Sequence, residues 1–262
     1  MKLSFSKYQG TGNDFVIIDN RNFKIEFTQE QVETICNRRF GIGSDGLILI
    51  QEREGFDFEM IYYNADGIIG SMCGNGGRCA ASFAYNINIA DKKMCFYAYD
   101  GPHAAVIIDE ETVSLQMSDV DSIEKIKDAY YLNTGSPHFV KIVDDVEKVD
   151  VYSAGREIRF NEMFRGKGTN VDFIEIQPGL VKVRTYERGV ENETLSCGTG
   201  VCAAAIAADQ ITNGNFGNEC FIQTKGGNLK VRFNKNKQNK VTDIWLEGQT
   251  KCVFKGNIKI DL

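Results

Sequence analysis

Short apolar runs separated by polar, glycine-marked breaks dominate the chain. Phe15 to Ile18 and Phe139 to Val143 read as strands, and each leads into a charged stretch with helical spacing. In the first such stretch Thr28-Gln29-Glu30-Gln31 has the form of a capping box, and Val32, Ile35 and Cys36 make an apolar stripe behind it. Gly41 and Gly43 end that helix and open a strand at Leu47 to Ile50. Further strands are predicted over Phe58 to Tyr63 and Val181 to Tyr186. A Cys-Gly-x-Gly turn follows each, then an Ala-rich helix, Cys79 to Tyr85 and Cys202 to Gln210, the second stopped near Asn213-Gly214. More β segments follow both helices.

This grammar is stated twice. The segment from Cys73 (CGNGGRCAA) resembles the segment from Cys197 (CGTGVCAAA), 124 positions later. TGNDFVII from Thr11 matches TGSPHFVKI from Thr134, GIGSDGLILI from Gly41 matches GKGTNVDFIEI from Gly166, and CFYAYDGPHAAV from Cys95 matches CFIQTKGGNLKV from Cys220. Four collinear matches at nearly the same offset, 123 to 125 positions, argue for duplication. The predicted fold class is α+β, with two pseudo-symmetric lobes, each a mixed β-sheet or barrel wrapped around a central helix. The join between the halves is expected near Gln116 to Ile126, with the active site in the cleft between the two lobes.

Composition narrows the function classes. The 262 residues carry 36 acidic and 30 basic side chains, a net charge of −6, which gives no electrostatic reason to expect nucleic acid or an anionic membrane as partner. No apolar run approaches a membrane span or a signal peptide, so a cytoplasmic location and reduced thiols are expected. Eight cysteines against two histidines could suggest zinc. The spacing around Cys73/Cys79 and Cys197/Cys202 is not the C-x2-C of structural zinc sites, and no metal is expected.

The cysteines divide by context. Cys36, Cys95, Cys220 and Cys252 read as small buried hydrophobes, and Cys79 and Cys202 as packing residues inside Ala-rich helices. Cys73 and Cys197 each precede Gly-x-Gly at a predicted helix start. There the helix dipole and free N–H groups form a carboxylate nest and should lower the thiol pKa. Inverting a carbon centre requires a base on one face and an acid on the other, and two matched thiols would supply both. Asn13, Asn64, Asn170, Glu187 and Arg188 stand at loop or strand ends within the repeated blocks. Arg188 suits a carboxylate through its fork, Glu187 suits an ammonium group, and His138 could tune a thiol. Taken singly, such residues are ordinarily turn caps and surface ion pairs, and their recurrence beside the sulfurs is what favours ligand binding.

The motifs GTGNDFVIID, NADG followed by CGNGGRC, GSPHFV, TNVDF, and YERG followed by CGTGVCAA resemble the diaminopimelate epimerase family along the whole chain. That resemblance implies cofactor-independent epimerisation of LL-2,6-diaminopimelate to the meso form, in lysine and peptidoglycan-precursor biosynthesis, by a homodimer whose C-terminal strand returns to the first lobe, so that the first lobe is expected over 1–117 plus 252–262 and the second over 118–251. It implies that Cys73 and Cys197 are proton acceptor and donor, and that His138 and Glu187 tune them. It places substrate contacts at Asn13, Asn64, Gly74, Asn75, Asn170, Glu187, Arg188, Gly198 and Thr199. Two positions depart from the family pattern. Ser136 replaces a frequent asparagine and still offers a hydroxyl contact, whereas Gly46 stands where some members carry glutamine and offers none. The competing readings are a proline or hydroxyproline racemase, a phenazine-type isomerase, a PLP enzyme, and a non-enzymatic thiol protein binding metal or acting in redox.

Overall fold

A computed structural model describes residues 2–22, 24–236 and 240–259. It is a sheet-dominated α+β structure that divides into two compact units, Met1–Leu115 with Gly248–Leu262, and Gln116–Glu247. Residues 260–262, which the sequence expectation gives to the first lobe, lie outside the described residues, as does Met1.

The first unit opens with β1 (Lys2–Gly10), which the apolar pattern does not predict, then a turn at Thr11-Gly12 and β2 (Asn13–Asp19). Thr11 and Gly12 have φ of 50° and 85°, the left-handed region that a two-residue reversal needs. There follow α1 (Gln29–Cys36), β3 (Gly46–Gln51), β4 (Phe58–Asn64), α2 (Gly74–Asn86), β5 (Lys93–Ala98), β6 (Gly101–Ile107) and β7 (Thr112–Met117). The C-terminal strand Lys251–Lys259 returns to pair with β1. From that strand to β6 the ladder senses run antiparallel, antiparallel, parallel, antiparallel, parallel, antiparallel.

The capping box at Thr28 forms as expected. Gln31 N–H donates to Thr28 Oγ1 (3.3 Å) and Thr28 N–H donates to Gln31 Oε1 (2.9 Å). The helix it starts covers one face of the sheet, where Val16, Ile18, Leu47 and Leu49 pack with Val32, Ile35 and Cys36. Period-two alternation turns Phe15 and Ile48 to the opposite face, where they meet α2 at Gly76. Strands buried on both faces read as nearly continuous apolar runs, which is why LILI and FVII stand out in the sequence.

The second unit contains β8 (Ile123–Ile126), β9 (Ala129–Asn133), β10 (Pro137–Ile142), α3 (Val151–Arg159), β11 (Asn170–Gln177), β12 (Leu180–Glu187), β13 (Asn192–Thr194), α4 (Gly198–Ile211), β14 (Glu219–Thr224), β15 (Gly227–Lys235) and β16 (Val241–Gln249). From β8 to β15, with β13 set aside, the senses are the same six in the same order. Val171, Phe173 and Tyr186 pack outward against the α3 side, with Val151. The intervening positions of β11 point toward α4, which touches β9 to β12, β14 and β15. Each unit is therefore a mixed sheet curled about one central helix.

Two sequence expectations change here. The Cys-Gly-x-Gly segments are not turns ahead of the helices; they are the first helical turns themselves. Gly77 N–H already donates to Cys73 O (2.7 Å), and Val201 N–H to Cys197 O (2.9 Å). The two helices therefore start five and four residues earlier than an apolar pattern registers, because glycine adds nothing to that pattern. Cys95 is exposed rather than buried, since alternation in β5 turns Lys93 and Cys95 outward together. Cys36, Cys79, Cys202 and Cys220 are buried, and Cys252 is half-buried.

Candidate active site

Cys73 and Cys197 occupy the same place in their respective units. Each is the N-cap of the central helix, in extended backbone (φ −92°, ψ 125°; φ −113°, ψ 116°), and neither side chain caps the helix. The sulfurs are thus held beside the helix start but engaged with other groups.

In the first unit Cys73 Sγ lies 3.5 Å from Asn13 Oδ1, and Asn75 Nδ2 lies 3.5 Å from the same oxygen. Asn13 presents its carbonyl there because its Nδ2 donates to Asp45 Oδ2 (2.7 Å). Asn75 is oriented in turn: its Oδ1 accepts from Arg78 Nη2 (2.9 Å) and Thr11 Oγ1 (3.2 Å). Arg78, wholly buried, also donates to Gly74 O (3.2 Å). Behind Asn13, Arg38 ties Asp45 to Asp14, which is itself paired with the buried Lys7 at 2.7 Å. Burial alone would raise the Asp14 carboxyl, but the Arg38 and Lys7 hydrogen bonds hold it at about 2. Asn64 has a different set of partners: its N–H and Nδ2 both donate to Ile68 O, closing the turn after β4. Gly46 is glycine for a steric reason, since a Cβ there would fall 2.5 Å from Tyr62 Cε2 and 2.5 Å from Tyr63 O.

The second unit gathers more of the predicted residues into one hydrogen-bonded set. Cys197 Sγ lies 3.4 Å from Thr199 Oγ1, which lies 2.9 Å from His138 Nε2. His138 Nδ1 lies 2.7 Å from Asp172 Oδ2, and Thr185 Oγ1 donates to Asp172 Oδ1 at 2.7 Å. Asn170 Nδ2 donates to Ser136 Oγ (2.9 Å) and Pro137 O (3.0 Å), and its Oδ1 accepts from Arg188 N–H (2.8 Å). The Arg188 guanidinium reaches Lys167 O (2.7 Å) and Ser136 Oγ (3.4 Å). Glu187 Oε2 accepts from Thr194 Oγ1 (2.9 Å). Gly198 is the first residue of α4, and Thr134 Oγ1 donates to Thr199 O (2.8 Å).

The expectation of a lowered thiol pKa does not hold for Cys197. Burial pushes this thiol well above its ordinary range, and the Glu187 and Asp172 carboxylates push it further. The Thr199 hydrogen bond and the Gly200 N–H act the other way without offsetting them. Desolvation and two nearby carboxylates thus oppose the half-charge of the helix N-terminus. Cys197 is accordingly a protonated thiol at neutral pH.

Sequence reasoning missed Asp45, Arg78, Thr134, Asp172 and Thr185. Of these only Asp172 left a readable signal. It lies inside an apolar strand, and the repeated block aligns it with Leu47. No group of three or more His, Cys, Asp or Glu side chains placed to hold a metal occurs among the described residues. Among them, too, no helix is long and apolar enough to cross a membrane.

The family model for diaminopimelate epimerase matches residues 5–122 and 130–250. A diaminopimelate epimerase of Flavobacterium psychrophilum is 44% identical over 258 residues, covering 96% of this chain and 98% of that protein. Its counterpart in Chlorobaculum tepidum is 42% identical, covering 96% and 99%. Among solved structures, a PhzF-family phenazine biosynthesis protein of Bacillus anthracis superposes with a TM-score of 0.79 at 13% identity, covering 99% of this chain and all of that one. That likeness is one of fold.

Proposed function

From the fact that the chain belongs to the diaminopimelate epimerase family, we infer that Cys73 and Cys197 are the two proton-transfer groups of its reaction. The enzyme is an isomerase that epimerises LL-2,6-diaminopimelate to the meso form, a step of amino-acid biosynthesis. The observation that carries the two-thiol reading is the equivalence of the two sulfurs, each the N-cap of its unit's central helix with its side chain left out of the cap.

In this reading one thiolate removes the α-proton and the other thiol delivers a proton to the opposite face of the same carbon. No redox change occurs, one proton is taken and one given, and the sulfurs exchange protonation states. Cys197, a thiol at neutral pH, starts as donor, which leaves Cys73 as the group that starts as base. The carbanion-like transition state places negative charge on the adjoining carboxylate. First-turn amides of α2 and α4, at Gly74, Asn75, Gly198 and Thr199, are oriented to stabilise such charge. Asn13, Asn64, Ser136, Asn170, Glu187 and Arg188 bind the remaining polar groups of the diamino diacid, with no cofactor. His138 and Glu187 tune the sulfur of the second unit. The working form is a cytoplasmic homodimer.

The test is α-proton exchange in deuterated water, with LL-diaminopimelate and proline offered separately. Deuterium should enter the diamino diacid alone, and exchange confined to proline would overturn the assignment. Cys73→Ala and Cys197→Ala should each abolish epimerisation, whereas substantial turnover by either variant would refute the two-thiol couple.

A further inference from the structure

We propose that Asp172 is a positioning residue: it fixes His138 as the Nδ1–H tautomer and thereby makes His138 Nε2 the proton acceptor for Cys197, through the hydroxyl of Thr199. Two sets of contacts lead to this arrangement, a hydrogen bond that fixes the proton on one side of the ring and compatible neighbours on the other. The first lies on the Nδ1 side. Asp172 and His138 are both wholly buried, and Asp172 Oδ2 lies 2.7 Å from His138 Nδ1. A carboxylate only accepts, so the proton on that contact belongs to Nδ1. Thr185 Oγ1 donates to the other oxygen at 2.7 Å and holds the carboxylate from behind.

The second set lies on the Nε2 side and does not involve Asp172. The Arg188 N–H donates to Asn170 Oδ1 (2.8 Å), which fixes the Asn170 amide with its NH2 group directed the other way. That NH2 gives its two hydrogens to Ser136 Oγ (2.9 Å) and Pro137 O (3.0 Å), and its nitrogen lies 3.4 Å from His138 Nε2. An amide nitrogen accepts no hydrogen bond, so this neighbour offers an Nε2–H no partner and is compatible with a lone pair there. Thr199 Oγ1–H therefore donates to Nε2 (2.9 Å), and its own lone pairs face the Cys197 S–H at 3.4 Å.

This chain has a direction. When Cys197 has to become a thiolate, the S–H proton passes to Thr199 Oγ1 as the Thr199 proton passes to His138 Nε2. One proton leaves sulfur, one arrives on imidazole, and no other species is consumed. The resulting imidazolium is stabilised by the Asp172 carboxylate, as a buried charge must be. The helix start is shaped to admit that carboxylate: a Cβ on Gly200 would lie 2.5 Å from Asp172 Oδ1. In the first unit the aligned position is Leu47, which has nothing to offer a histidine.

Only the kinetic arm of the test rests on the two-thiol reading. The structural arm uses the resting wild-type protein without substrate. With two histidines in the chain, long-range 1H–15N spectra of 15N-histidine-labelled protein, assigned with a His103→Gln variant, report the His138 tautomer directly. Nδ1–H is expected, and Nε2–H overturns the proposal whatever the enzyme catalyses. Asp172→Asn keeps the shape and one acceptor but cannot balance an imidazolium. Its kcat for diaminopimelate should fall about 10–100-fold, as when a partner that orients a histidine is lost, with KM changed by less than about twofold. Wild-type kcat in a folded Asp172→Asn protein also overturns it. Loss of α-proton exchange by the wild-type enzyme, with Nδ1–H retained, would instead count against the two-thiol reading.

Discussion

Gly76 and Gly200 are the third residues of α2 and α4, equivalent positions in the two Cys-Gly-x-Gly segments, and alanine at each separates helix propensity from site geometry. Within a helix, alanine is favoured over glycine by about 1 kcal/mol. At Gly76 a Cβ would meet Ile48 Cδ1, Met60 Cε and Phe15 Cζ, each at 3.4 Å, an ordinary apolar contact. Gly76→Ala should therefore be neutral or stabilising by about 0.5–1 kcal/mol. At Gly200 the new Cβ would lie 2.5 Å from Asp172 Oδ1 and 3.2 Å from His138 Cε1. The carboxylate cannot withdraw freely, because His138 and Thr185 hold its two oxygens at 2.7 Å each. Displacing it weakens two hydrogen bonds to a charged group, each worth about 1.5–3 kcal/mol. After the propensity gain, Gly200→Ala should destabilise by about 2–5 kcal/mol. At about 2–4 °C per kcal/mol for a domain of this size, that lowers Tm by roughly 4–20 °C. Differential scanning calorimetry of both variants beside the wild type measures the contrast. A Gly200→Ala protein melting at or above the wild type, or a Gly76→Ala protein falling as far, would refute the geometry.

Three further outcomes follow from the same contacts. Asp14, held at about 2 against an ordinary 3.8, stabilises the fold above its ordinary value and loses that contribution as pH falls through about 2. Asp14→Asn should cost about 2 kcal/mol near neutrality and progressively less in acid; urea unfolding at several pH values checks this, and a pH-independent difference would contradict it. Gly46→Gln, which restores the side chain of some family members, should destabilise by about 1–3 kcal/mol or more because Tyr62 and the Tyr63 carbonyl occupy the space; an unchanged urea midpoint would contradict that. Burial pushes the Cys220 thiol up to about 12 and Cys197 well above its ordinary range, while Cys95 is exposed. Iodoacetamide at pH 8 should modify Cys95 well before Cys197 or Cys220, and peptide mass mapping that finds Cys197 alkylated first would show that its thiolate is more accessible than the contacts imply.

What the chain disclosed in advance depended on whether an interaction is local. The capping box at Thr28 spans three residues, and the apolar runs of β2 and β3 satisfy themselves by alternation, so both were legible. β1 was not, because it interrupts its own pattern: Lys7 is buried among apolar neighbours and neutralised by Asp14, a partner supplied by the next strand. Asp172 was concealed in the same way, with Thr185 13 residues and His138 34 residues distant along the chain. The duplication recovers some of this information. Where the repeated blocks agree, as at Phe15 and Phe139 or at the two Cys-Gly pairs, the shared residue serves the common ladder or the helix start. At three positions where they differ, the second copy carries a residue of the contacts that lead to its sulfur: Leu47 against Asp172, Asn75 against Thr199, and Asp14 against His138, counting back from the paired phenylalanines. All three exchanged residues of the second unit lie in the single chain of contacts that ends at Cys197. A duplicated scaffold can hold two sulfurs alike, but matched sulfurs with identical surroundings would have no preferred starting protonation state. The departures from the repeat are therefore where the site acquires its direction.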